Sequence, residues 1–147
     1  MTPPRRIGVA KVAVVDDDPE VREFLAHALG ARGFEVLLAG SGPQLVWLLR
    51  GHRPAVILLD VKLPWVDGLE LCRALKCNPE YRDTPICLMS GRCDPDDVRT
   101  GLACGAVAYF AKPLDTEALL QKVAEFCGQR PDPPEPASAA IGGRSAP

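Results

Sequence analysis

Apolar positions along the chain follow two patterns in turn. Short, nearly unbroken apolar runs stand at residues 9–15, 34–39, 55–60, 86–89 and 107–111. They are too short for helices and lack the strict alternation of a half-exposed sheet, so they predict strands buried on both faces, as in parallel sheets. Between them the apolar residues fall at helical spacing: Val21, Leu25, Ala28 and Leu29, then Leu45, Leu48 and Leu49, then Leu71 and Leu75, and last Leu119, Leu120, Val123 and Phe126. Each helical stretch has a start signal. Asp18-Pro19 and Asp94-Pro95 pair an N-cap carboxylate with a proline in the first turn, Ser41 and Gln44 match a capping box, and Asp67 and Asp115 stand as caps. Gly30 or Gly33 is expected to end the first helix. Gly101 and Gly105 each cost about 1 kcal/mol in a helix interior, which makes the fourth helix the weakest and a candidate mobile element.

Five strands alternating with five helices predict an α/β fold, a three-layer sandwich whose helices cross over between parallel strands. The alternation leaves the strand order open. It does fix where strand ends lie, because in a parallel sheet all carboxyl ends share one edge, about 5 Å apart per neighbouring strand. Four of the five strands end on residues suited to phosphate or metal chemistry: Asp16 and Asp17, Asp60, Ser90, and Lys112. Asp60 closes the run AVILLD, where an ionised carboxylate belongs at the water-facing end. Carboxylates gathered this closely repel one another, and the usual remedy is a hard cation with oxygen ligands, for which magnesium is suited. A carboxylate beside such a cation, with a lysine and a hydroxyl to hold phosphoryl oxygens, is equipped to attack phosphorus.

Composition narrows the partners. The formal net charge is -2 and the only basic doublet is Arg5-Arg6, so neither nucleic acid nor an anionic membrane has an electrostatic footprint here. The 147 residues are 47% hydrophobic, enough for one core. The six cysteines form no C-x-x-C pair and read as small core residues in a reducing compartment. Lys11 and three aspartates interrupt the first apolar run, unlike a secretion signal, and no run reaches the roughly 20 residues of a membrane span. A cytoplasmic protein is the expectation. Residues 1–8 read as a flexible lead, 9–128 as the folded domain, and 129–147, rich in Pro, Ala, Gly and Ser, as a disordered tail. In that tail Pro133-x-x-Pro136 reads as plain linker rather than a polyproline ligand. His27 reads as a surface or boundary residue, Trp47 as a surface or packing residue on the second helix, and Trp65 as a loop aromatic on the rim of the strand-end site.

Four segments together resemble the receiver domain of two-component response regulators: VVDDDPEVR its acidic pair, VILLDVKLPWVDGLEL its phosphoacceptor segment, ICLMSGR its Ser/Thr segment and AYFAKPLD its Lys-Pro segment. They occur in the family's order over residues 11–127. The resemblance implies the flavodoxin-like (CheY-like) strand order 2-1-3-4-5. It makes Asp60 the phosphoacceptor, with Mg2+ held by Asp17, Asp60 and the backbone carbonyl of Lys62, and by Asp16 through water. Ser90, where the family more often has threonine, would donate to the phosphoryl group, and Lys112 would neutralise one of its oxygens. Tyr109 corresponds to the switch aromatic, and the Lys112–Pro113 bond would be cis. Lys62 and Arg92 resemble the positions that tune phosphate lifetime, and both being basic they are expected to set it together.

The implied partners are a sensor histidine kinase or phosphotransfer protein and a downstream effector, with a possible dimer through the fourth helix, fifth strand and fifth helix. The implied role is a phosphoacceptor that catalyses only its own phosphotransfer and dephosphorylation, not a turnover enzyme. A rival from another class is an interaction module with the receiver fold that works without phosphorylation. An aspartate-nucleophile phosphatase is a weaker rival, since Asp60-Val61-Lys62 lacks the second aspartate of that class's D-x-D.

Overall fold

The computed structural model describes residues 9–128. The lead, the tail and its Pro133-x-x-Pro136 lie outside the described residues. The strands are β1 (Lys11–Val15), β2 (Glu35–Ala39), β3 (Val56–Asp60), β4 (Ile86–Ser90) and β5 (Ala108–Ala111); the helices are α1 (Pro19–Ala31), α2 (Gly42–Leu49), α3 (Gly68–Lys76), α4 (Pro95–Ala103) and α5 (Thr116–Phe126). All four strand pairings are parallel, in the order β2-β1-β3-β4-β5. β3 is therefore the middle strand, and both of its faces are buried along its whole length.

The two-sided burial explains the unbroken apolar runs. Alternate strand residues point to opposite faces, and each set has its own helices. Ala13, Val15, Ile57, Leu59, Ile86 and Leu88 meet Leu45 and Leu49 of α2 and Leu71, Cys72 and Leu75 of α3. Val12, Val14, Val56, Leu58, Cys87 and Met89 meet Leu25 and Leu29 of α1 and Leu119, Leu120 and Val123 of α5. Burying each large apolar side chain contributes about 1.5–3 kcal/mol, so the two clusters hold the three layers together. Leu48 and Phe126, expected inside, are only half-buried, at the margins of their clusters.

The caps form as the sequence implies. Asp18, Asp67, Asp94 and Asp115 each accept a backbone N–H of the first turn they precede. The first helix ends at Ala31, and Gly33, at φ 93°, makes the left-handed exit. The capping box of α2 is altered. Ser41 Oγ accepts from Gln44 N at 3.3 Å, but Gln44 Oε1 reaches past the cap to Gly40 N at 2.6 Å, the amide left over where β2 ends. The cysteines need a correction as well: Cys72, Cys87 and Cys104 are buried, whereas Cys77 and Cys93 are exposed because they fall where α3 ends and in the loop after β4. Trp47 is a surface residue, 69% exposed.

Candidate functional site

The ladder of backbone hydrogen bonds runs past the strand ends and brings the predicted residues together. Asp16 N donates to Ala39 O at 3.0 Å, Val61 N to Met89 O at 3.0 Å, and Lys112 N to Ser90 O at 2.8 Å. These bonds set the depth of each side chain on the carboxyl edge. Asp16 is fully buried, Asp60 and Ser90 are each 6% exposed, and Asp17 faces solvent.

Buried carboxylates need partners, and Asp16 has them. Its Oδ2 accepts from Lys112 Nζ at 2.6 Å and its Oδ1 from Asp18 N at 2.9 Å. Asp60 is less well served: Lys112 Nζ is 3.4 Å from its Oδ2, and Lys62 N donates to Oδ1 at 3.3 Å. Burial pushes the Asp60 carboxyl up and the Asp16 charge pushes it further. The Lys112 charge and the hydrogen bonds from Lys62 and Lys112 return it only part of the way, to about 6 from 3.8. At Lys112 burial works downward, but the bond to Asp16 and the charges of Asp60 and Asp16 outweigh it and leave the ammonium's pKa raised. One ammonium shared between two carboxylates satisfies the nearer and leaves the other short of positive charge.

A raised carboxyl pKa means that the fold favours protonated Asp60. The resulting stability is fully present below about pH 4 and lost as pH rises through about 6. Relative to an Asp60→Asn variant, the metal-free protein should therefore lose on the order of 1 kcal/mol between pH 4 and pH 7. Urea unfolding of both proteins across that range checks this, and a constant difference would refute it.

Oxygen atoms of Asp16, Asp17 and Asp60 lie within 4.8 Å of one another. An all-oxygen set with excess negative charge suits a hard divalent cation rather than a thiophilic one. The carbonyl of Lys62 belongs to a turn closed by a Lys62–Asp67 bridge, which fixes that stretch beside Asp60. Pro64 and Trp65 are the middle of this turn. Trp65 has φ 71°, in the left-handed region where glycine is the usual occupant, and is 86% exposed. Trp65 is a loop aromatic, as expected, and its indole stands out in solvent.

Ser90 Oγ accepts from Arg92 N at 2.9 Å, which leaves its own proton free to donate. Tyr109 O–H donates to the carbonyl of Arg92, and its ring lies where a side chain on Gly101 would be: a Cβ there would come within 2.7 Å of Tyr109 Cδ2. The ring thus ties β5 to α4 and to the loop after Ser90. The side chains of Lys62 and Arg92 are both exposed. Lys112–Pro113 is cis.

Residues 12–124 match the family described as "Response regulator receiver domain". The chain belongs to that family. The receiver domain is 34% identical over 124 residues to "DNA-binding response regulator MtrA" of Mycolicibacterium smegmatis, covering 84% of this chain and 53% of that protein. It is 41% identical over 119 residues to "Transcriptional regulatory protein AruR" of Pseudomonas aeruginosa, covering 78% of this chain and 48% of that one. The chain thus spans about half the length of the curated relatives it matches. Among solved structures, the chemotaxis response regulator CheY4 of Vibrio cholerae matches with a TM-score of 0.75 at 31% identity, over 81% of this chain and 99% of that one. The receiver fold, flavodoxin-like with order 2-1-3-4-5, and the role in two-component phosphorelay signalling follow for the matched domain.

Two residues that pack against the site backbone carry little signal in the sequence. Arg22 Nη1 donates to the carbonyl of Asp16 at 2.7 Å. Gly68 lies so close to β3 that a Cβ would meet Asp60 O at 2.2 Å. The DG pair at Asp67-Gly68 was a weak cue to the second, whereas nothing local pointed to Arg22. Among the described residues, no helix is long and apolar enough to cross a membrane.

Proposed function

We propose that this receiver domain takes a phosphoryl group from a histidine kinase or phosphotransfer protein on Asp60, and that the modified domain signals to an effector protein through α4, β5 and α5. The observation that carries the reading is the convergence of Asp16, Asp17, Asp60 and Lys112 on one edge, with Asp60 the less completely neutralised of the two buried carboxylates. An oxygen of Asp60 attacks phosphorus, the P–N bond of the donor breaks, the imidazole leaves with the electron pair, and an acyl phosphate forms. Lys112 moves from Asp16 to an oxygen of the transferred group, and Ser90 donates its proton to another. Asp17, Asp60 and the Lys62 carbonyl would hold Mg2+, with Asp16 acting through water; the bound ion would supply positive charge to the phosphoryl oxygens.

A groove of about 340 Å³ opens beside Lys112 between Val21 and Phe24 of α1 and Pro113 and Leu114. Phe24 is 51% exposed there, an apolar surface in the same groove as Lys112 that supports a protein as donor. Phosphorylation adds about -1.5 to -2 charge, and drawing Ser90 toward it would strain the Arg92–Tyr109 bond and bias α4 and β5 between two arrangements. A dimer through that surface is part of the proposal. The domain is a phosphoacceptor in the cytoplasm that catalyses only its own phosphotransfer and dephosphorylation. DNA binding, named for MtrA, is not assigned to this domain.

Magnesium and beryllofluoride titration followed by NMR tests the reading. Saturable shifts are expected at Asp17, Asp60, Ser90 and Lys112, spreading to Tyr109. Shifts confined to the metal ligands, with Tyr109 and α4 unmoved, would favour the interaction module that works without phosphorylation.

A further inference from the structure

Asp16 is held at both ends. Its amide, both carboxylate oxygens and its carbonyl all have partners, the last being the guanidinium of Arg22. Asp17 is different: among the described residues no hydrogen bond or ion pair reaches its carboxylate. The direction in which Asp17 points is therefore set by its backbone, and the peptide that leads into it is the one whose oxygen Arg22 holds at 2.7 Å.

Arg22 is braced from behind. It sits in α1 with its own N–H bonded to Asp18 O at 3.1 Å, and its side chain turns back over the end of β1. On the far side the guanidinium lies against Gly40: a Cβ on that residue would come within 3.0 Å of Nη1 and 3.5 Å of Cζ. Gly40 is in turn fixed by its backbone N–H, which donates to Gln44 Oε1 at 2.6 Å. The brace therefore runs from α1 across the end of β1 to the β2–α2 turn, and the missing side chain at Gly40 is what leaves room for it.

We propose that Arg22 is a positioning residue for the metal ligands: by holding the Asp16–Asp17 peptide it keeps the Asp17 carboxylate within reach of Asp16 and Asp60. The inference rests on the reading of this edge as a magnesium site. Electrostatics alone predict the opposite sign, because removing a cation from the neighbourhood of a bound cation should tighten binding. Position predicts loosening, so the sign separates the two.

The experiment is magnesium titration by calorimetry on the wild type and on Arg22→Ala, Arg22→Lys and Gly40→Ala, with melting temperatures and amide NMR spectra of each metal-free protein. Arg22→Ala should bind magnesium about tenfold more weakly. Arg22→Lys should recover most of the loss, since an ammonium donates to the same carbonyl. Gly40→Ala keeps the charge but displaces the guanidinium, and should weaken binding about threefold. In metal-free Arg22→Ala the Asp17 amide should shift while amides of the β3 core stay in place. Binding by Arg22→Ala as tight as or tighter than wild type, or an unmoved Asp17 amide, overturns the proposal, as does equal weakening by Ala and Lys with a matching fall in melting temperature. A wild type that binds no magnesium overturns the metal reading, and the Asp17 amide then still decides whether the brace exists.

Discussion

Asp60→Ala is expected to lower phosphoryl uptake from acetyl phosphate by at least about a thousandfold, and to raise the melting temperature of the metal-free protein by about 4 °C. The two effects have a common origin. Asp60 closes a strand buried on both faces, with Asp16 beside it and Lys112 held mainly by Asp16. Burial and the Asp16 charge push its pKa to about 6, so at neutral pH the fold carries an ionised carboxylate at a cost. Alanine removes that cost and leaves Lys112 its 2.6 Å partner. It also removes the carboxylate that sits beside Lys112 without being fully neutralised by it. Asp16 is fully buried and committed to Lys112, and Asp17 is far enough into solvent that its carboxylate lacks the lysine. Acid-labile radiolabel measured on wild type and variant, with calorimetric melting of both, checks the pair. Label persisting in the variant would move the acceptor to Asp17.

Gly68→Ala is expected to cost about 3 kcal/mol of stability and to weaken magnesium binding along with it. A Cβ at position 68 would stand 2.2 Å from Asp60 O, 2.7 Å from Val61 Cα and 2.9 Å from Val61 O. These are backbone atoms, so no rotamer change relieves the overlap, and either α3 retreats or the end of β3 bends. Both outcomes break the 2.8 Å bond from Gly68 N to Val61 O. The backbone that moves carries Asp60 and leads directly to the Lys62 carbonyl. Chemical denaturation and magnesium titration of the variant measure the two losses. A variant as stable as wild type would mean that α3 packs less closely on β3 than the geometry indicates.

The contrast between these two positions shows what was legible in the sequence. Asp60 stood out because an oily run ended in a charge, and Asp16, Ser90 and Lys112 because parallel strands must bring their ends to one edge. The layer architecture followed from the same alternation. Strand order did not, since any set of crossovers has that alternation, and it came from resemblance to the receiver family. Gly101 was read only as a weak point in α4, and Gly68 had no reading of its own beside the Asp67 cap. Their actual reason is long-range: Gly68 makes room for the backbone of β3 and Gly101 for the ring of Tyr109. Arg22 was invisible because its partner is a carbonyl, and a carbonyl has no letter in the sequence. Cys77 and Cys93 were misplaced because cysteine type predicts burial only on average, while both fall where the chain leaves an element.

The turn that carries Trp65 has a further consequence. With Trp65 86% exposed and Trp47 69% exposed, both indoles of the chain are solvated in the folded state. Their emission barely changes when the core melts, so tryptophan fluorescence is nearly blind to unfolding of this domain. What Trp65 can report is contact, because a solvated indole changes its emission when another surface covers it.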